Sequence, residues 1–182
     1  MKFSPIALGL SALASLALAA PTGGGHYEQC VTQAEAELFI ERYAAVIAAQ
    51  PSDLGGPTLT ARTIVARGYS ETSDSANTQL GLPLGSVTVP TKQAFVVGSQ
   101  QNPPVSATTL GVFVANCNYV LWQWVFTDFG SGVYPVKGFH LFEFNANGKA
   151  VQAWFEFNSI AGAADTGWTL IQPNGVEWTN GQ

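Results

Sequence analysis

Charge is what this sequence has least of. Only 10% of its 182 residues are Asp, Glu, Lys or Arg, against about 25% in ordinary globular proteins. The seven Lys and Arg form no cluster. A nucleic-acid partner needs such a cluster to displace counterions from phosphates, and an anionic membrane surface needs it for the same attraction, so neither partner is expected. Histidine and cysteine are scarce as well, two of each, and without a CxxC spacing they make a poor ligand set. No metal site is expected. There is no Gly-rich phosphate loop, no nucleophile elbow, no Ser/His/Asp order and no Asn-x-Ser/Thr sequon. No cofactor is expected. What the chain has instead is apolar bulk. Hydrophobic residues make up 47%, including 11 Phe, 5 Tyr and 5 Trp. That excludes a disordered chain and suits a large core under an uncharged polar surface.

The N-terminus carries the strongest local signal. Met1-Lys2 gives a positive start, Ile6 to Ala20 is apolar, and Ala17-Leu18-Ala19 fits the small-x-small cleavage pattern. The run is too short for the ~20 residues that span a bilayer. Residues 1–19 are therefore read as a signal peptide, residues 20–29 as a flexible mature N-terminus, and 30–182 as one domain. The product is expected outside the cell. An even cysteine count in an exported chain reads as one disulfide, Cys30–Cys117, with two buried thiols as the alternative.

Along the domain, Thr32 and Glu35 form a capping box for a helix running to about Ala49. Pro51 to Pro57 is a connection, and Thr58 to Ala66 suits a short second helix. Gly68 to Leu84 is polar and turn-rich and reads as a long loop, with at most a short strand at its start. Thr91 to Gln101 fits another helix, ended by Pro103-Pro104. The pattern then changes. Val105–Ala115, Tyr119–Thr127, Val133–Phe144 and Ala150–Asn158 are rich in β-branched and aromatic residues and are joined by short turns. Four consecutive strands so connected form an antiparallel meander. Helices followed by such a meander make an α+β fold, with the helices on one face of the sheet.

The segment Asn145-Ala146-Asn147-Gly148-Lys149 decides which residues share a face. A two-residue Asn-Gly turn would pair Ala146 with Lys149 and move His140 to the face of Phe155 and Phe157, away from Glu156; the three-residue turn with a left-handed Gly148, which pairs Asn145 with Lys149, is favoured. Counted back without interruption, that register sets His140 opposite Trp154, Phe142 opposite Gln152 and Gly138 opposite Glu156. His140, Glu156 and Asn158 would then lie on one face with Trp154 and Val136, and Phe139 and Leu141 on the other with Phe155 and Phe157. Both faces are aromatic, so the face without helices is expected to meet a second copy in a homodimer.

Several segments together resemble secreted fungal proteins that carry an NTF2-like (SnoaL-like) domain. They are Ser73-Asp74-Ser75, Gly81 to Ser86, Tyr134-Pro135-Val136-Lys137-Gly138 and Glu156-Phe157-Asn158-Ser159-Ile160, with Trp122, Trp124 and the two cysteines. The resemblance implies a cone in which N-terminal helices pack on a curved antiparallel sheet around a pocket. The superfamily includes isomerases, dehydratases, polyketide cyclases and non-catalytic binding modules. Where its cyclases use an aspartate at the end of the last strand, this chain has Asn158, which cannot exchange a proton at neutral pH.

Two readings of function follow. In the first, the cone binds a small apolar molecule lined by Tyr69, Asp74, Trp122, Trp124, Phe142, Trp154 and Asn158. In the second, His140 as general base, oriented by Glu156, carries cofactor-free proton transfer as an isomerase, cyclase or dehydratase. A third possibility is an exported structural or host-interaction protein whose cone is filled by its own side chains. Each candidate also has a plainer role: the tryptophans as core, Asn158 as the cap of a short helix from Ser159 to Ala164, and Asp74 as a turn residue.

Overall fold

The computed structural model describes residues 30–177; the leader and residues 20–29 lie outside the described residues. Helix α1 (Gln33–Ile47) begins as its capping box requires. The Thr32 side chain accepts from Glu35 N, and Glu35 Oε2 accepts from Thr32 N at 2.9 Å. Its buried stripe, Ala36, Phe39, Ile40, Tyr43 and Val46, has helical spacing and faces the sheet. Ahead of it, Cys30 is bonded to Cys117, 87 residues away. Val31 N donates to Cys117 O at 2.8 Å, so the start of α1 is tied to a sheet turn. Helix α2 (Pro57–Ile64) has proline in its first turn, where the missing N–H costs nothing.

Strand β1 (Val65–Thr72) and helix α3 (Asp74–Leu80) occupy the segment expected to be a long loop. The period-two burial of Tyr69, Glu71 and Ser73 was hidden because the inward residues are largely polar. Ser73 caps α3, and Gly81 ends it in the left-handed conformation, φ +68°. A short strand β2 (Val87–Val89) and helix α4 (Lys92–Gln101), capped by Thr91, follow. The expected meander is then present as β3 (Ala107–Asn116), β4 (Tyr119–Phe126), β5 (Val136–Phe144) and β6 (Ala150–Phe157), followed by α5 (Ser159–Asp165).

These strands form a six-stranded sheet in the order β2-β1-β6-β5-β4-β3. The neighbours are antiparallel except β1 and β6, which are parallel. The α+β class therefore holds, with one parallel pair where the chain returns to β1 after its long excursion. Helices α1 and α4 cover one face. Phe39 meets Phe142 and Phe144 edge-on, and Phe95 packs on Tyr43 and Tyr69. Asp165, at the end of α5, is buried and accepts from Ser131 Oγ, Val133 N and Tyr134 N, which secures the loop before β5.

The β5–β6 turn forms as expected, with Asn145 N donating to Lys149 O and Gly148 at φ +66°. One rung later the register departs from expectation. Phe144 pairs with Ala150 but Glu143 pairs with Gln152, leaving Val151 as the extra residue of a β-bulge. The bulge shifts every later pair by one. His140 lies opposite Phe155, Phe142 opposite Ala153 and Gly138 opposite Phe157. His140 and Phe155 therefore face the helices, and Trp154 and Glu156 face away.

Candidate functional site: a closed polar chain in the cone

Four elements bring polar side chains to the centre of the helix-covered face. From β4 and β5, Trp124 and His140 point inward; from α1 comes Tyr43; from β1 come Tyr69 and Glu71, two residues apart on one side of the strand. Trp124 Nε1 donates to His140 Nδ1 at 2.8 Å. Indole nitrogen is only a donor, so the imidazole proton sits on Nε2. Nε2 lies 3.4 Å from the Tyr43 hydroxyl, which donates to Glu71 Oε1 at 3.0 Å. The Tyr69 hydroxyl donates to the same oxygen at 2.6 Å. Every donor in the chain thus runs toward Glu71.

Burial sets the charge states. Nothing carboxylate-like faces His140, and desolvation alone lowers its pKa from 6.5 to about 3, so it is neutral. Desolvation raises the pKa of Glu71, while the Tyr69 and Tyr43 hydrogen bonds pull it down. The phenols of Tyr43 and Tyr69 are pushed well up, first by burial and then by the Glu71 charge. Around the chain the space is filled. Trp122 is 0% exposed, Trp124 1%, Phe142 0% and Tyr69 0%, with His140 and Glu71 at 5% each. His140 is stacked between Phe142 and Phe155, with ring centroids 5.3 and 4.7 Å away. No buried side-chain polar atom among the described residues lacks a hydrogen-bond partner. Two clefts open at the surface, and Trp124 is shared between the interior cluster and the second. One of about 280 Å³ lies by the disulfide and the 145–148 turn, and one of about 350 Å³ is lined by Leu110, Gln123, Trp124, Lys137, Gly138 and Phe139.

The residues singled out in the sequence divide accordingly. Trp122, Trp124, Phe142, Tyr69 and His140 meet in the interior. Glu156 does not join them: the bulge turns it to the other face, so the expected His140–Glu156 pair is not formed. Its carboxylate instead accepts from Asp74 N at 2.8 Å, Ser75 N at 2.9 Å and the Ser75 hydroxyl, holding the start of α3. Trp154 is on the outer face, 37% exposed. Asp74 accepts from Gly85 N at 2.6 Å, a loop contact at the surface. Asn158 caps α5, accepting from Ala161 N at 3.2 Å. Sequence reasoning missed Tyr43 and Glu71. The Tyr69-x-Glu71-x-Ser73 alternation was the available signal.

The concave α+β cone, with helices packed on a bent six-stranded sheet, defines the class of protein. Residues 29–169 match the family model described as an NTF2-like domain, and the chain belongs to that family. Among solved structures it is similar to an NTF2-like protein of unknown function from Burkholderia pseudomallei (13% identity, 75% of this chain and 100% of that one, TM-score 0.55). It is also similar to a candidate polyketide cyclase from Acidithiobacillus ferrooxidans (11%, 75% and 96%, TM-score 0.54). A third is a candidate isomerase of the SnoaL-like family from Agrobacterium tumefaciens (10%, 69% and 98%, TM-score 0.51). At these identities the likeness is one of fold. A search of curated protein sequences finds no match.

Proposed function

We propose that this chain is an exported NTF2-like domain that works by surface recognition, its cone serving as core rather than as a ligand chamber. The supporting observation is the interior itself. Trp122, Trp124, Tyr69 and Phe142 occupy the volume that a small apolar ligand would need, and the polar groups there satisfy one another. The disulfide, together with the absence of any helix long and apolar enough to cross a membrane among the described residues, supports export. Native mass spectrometry of the oxidised protein tests the closed cone. The expected result is the bare polypeptide mass; a retained small molecule released by denaturation would overturn it.

One observation favours a second reading, proton transfer inside the cone. A carboxylate between two phenols is a costly thing to bury, and such groups concentrate at functional sites. Proton exchange at Trp124 Nε1 and His140 Nε2, followed by nuclear magnetic resonance, separates the two readings: slow exchange under the closed-core reading, and fast exchange under the catalytic one, which requires the cone to open to a substrate.

A further inference from the structure

Lysine and arginine are few in this chain, and no run of them occurs along it. The fold nevertheless brings three together, at the corner where α2 passes into β1. Lys92, at the start of α4, reaches across to the end of α2, where its Nζ donates to Arg62 O and, at 2.9 Å, to Val65 O. Val65 begins β1 and pairs with Ala150 of β6, which brings Lys149, the residue before Ala150, to the same corner. Arg62 belongs to the last turn of α2 and is exposed. Burial first, then the neighbouring charges of Lys149 and Arg62, hold the Lys92 ammonium below its usual value, as like charges in close company do.

Holding the carbonyls at the end of α2 accounts for one cation. It does not account for the other two, whose charges oppose the first. None of the three is in an ion pair; the ion pair among the described residues is that of Arg42 with Asp53. The chain has 12 acidic residues against seven basic ones and a net charge of −5, so carboxylates to neutralise this corner are plentiful, and none is placed there. The three groups complement one kind of ligand. Lys92 has two of its three N–H groups on carbonyls and keeps one to give. Lys149 brings a second ammonium, and Arg62 a planar fork that matches two oxygens of a phosphate. A tetrahedral dianion can accept from all three. A duplex or an anionic bilayer draws on more cations than this corner holds.

We infer that Arg62, Lys92 and Lys149 form a binding site for the phosphate group of a small phosphate monoester. This rests on the surface-recognition reading and names the chemistry of its ligand. Titration of the disulfide-bonded mature chain by nuclear magnetic resonance tests it. The probes are inorganic phosphate and glycerol 3-phosphate, each at an ionic strength held constant with sodium chloride. Both are expected to give saturable shifts at the amides of Arg62 to Val65, Lys92 and Lys149. Arg62→Gln and Lys149→Gln should each weaken binding about tenfold, as the loss of one charge-assisted hydrogen bond does. Neither should lower Tm, because neither side chain holds the α2 carbonyls. Lys137→Gln, at the far end of β5 from the Lys149 turn, should leave binding as it was. Affinity for glycerol 3-phosphate should fall as pH drops through about 6, where the phosphate takes up its second proton. Shifts that stay linear in phosphate would overturn the inference. So would binding that Arg62→Gln and Lys149→Gln leave unchanged, or that Lys137→Gln weakens equally. A ligand found in the cone would overturn the closed-core reading and leave this site standing.

Discussion

His140 has its ring nitrogens committed in opposite senses, Nδ1 accepting from Trp124 and Nε2 facing the Tyr43 hydroxyl. An imidazolium in this place would set N–H against the N–H of Trp124 and bury an uncompensated charge. With its folded pKa lowered to about 3 from 6.5, the unfolded chain binds the proton first as pH falls. The histidine's contribution to stability is therefore intact above pH 6.5 and lost progressively toward pH 3. Glu71 acts in the opposite sense. Its folded pKa is raised above 4.5, so its burial costs more as pH rises through that raised value. Melting temperatures recorded from pH 3 to 7 should show the two trends separately. Glu71→Gln should leave a steeper fall in Tm on acidification than the wild type has, and His140→Phe should remove the fall that begins near pH 6.5. If His140→Phe keeps the wild-type slope, the imidazole is not the group responsible.

At the scale of the element, a single extra residue separates what the sequence made legible from what it hid. The capping box at Thr32, the four strands, the Asn145–Lys149 turn and the Asn158 cap are short-range features, written in neighbouring residues. The bulge at Val151 is not. It is favoured by the fit of Phe155 and Phe157 against the inner aromatic rings, a tertiary term that hydropathy along the strand does not carry. For that reason Trp154 and Glu156 were expected on the inner face with His140, and Phe155 and Phe157 on the outer one, the reverse of what is found. For a related cause strand β1 was legible only as a short strand opening a loop, because its inward residues, Tyr69, Glu71 and the following Ser73, look like loop. Two substitutions probe these elements. Glu156→Ala removes the acceptor of two backbone N–H groups and the Ser75 hydroxyl. It should cost about 1–3 kcal/mol and speed amide exchange at the start of α3. Gly138→Ala puts a methyl 2.5 Å from the Trp124 ring and 2.6 Å from Glu156 O. Overpacking of this kind should cost about 1–3 kcal/mol in denaturant melts.

For the whole molecule, the chain's scarcity of charge and wealth of aromatic rings have one consequence on each side of the sheet. Inside, the rings pack around a polar chain whose members satisfy one another. Outside, they leave Phe113, Phe139 and Trp154 exposed on the face without helices. The Cys30–Cys117 link closes a loop of 87 residues and joins the first helix to the far strands. In the chain-entropy account such a loop contributes about 4.6 kcal/mol. Cys30→Ser/Cys117→Ser, or reduction, should therefore lower Tm on the order of 10 °C, with the same circular dichroism spectrum below the transition.

The closed interior is tested most directly by following the His140 imidazole through a pH titration by nuclear magnetic resonance, with a His140→Phe sample for assignment. The account predicts a neutral ring protonated on Nε2, silent through the usual histidine range and charging only near pH 3. A ring that titrates near pH 6.5 in the folded protein would mean that water reaches the centre of the cone, and would contradict the account.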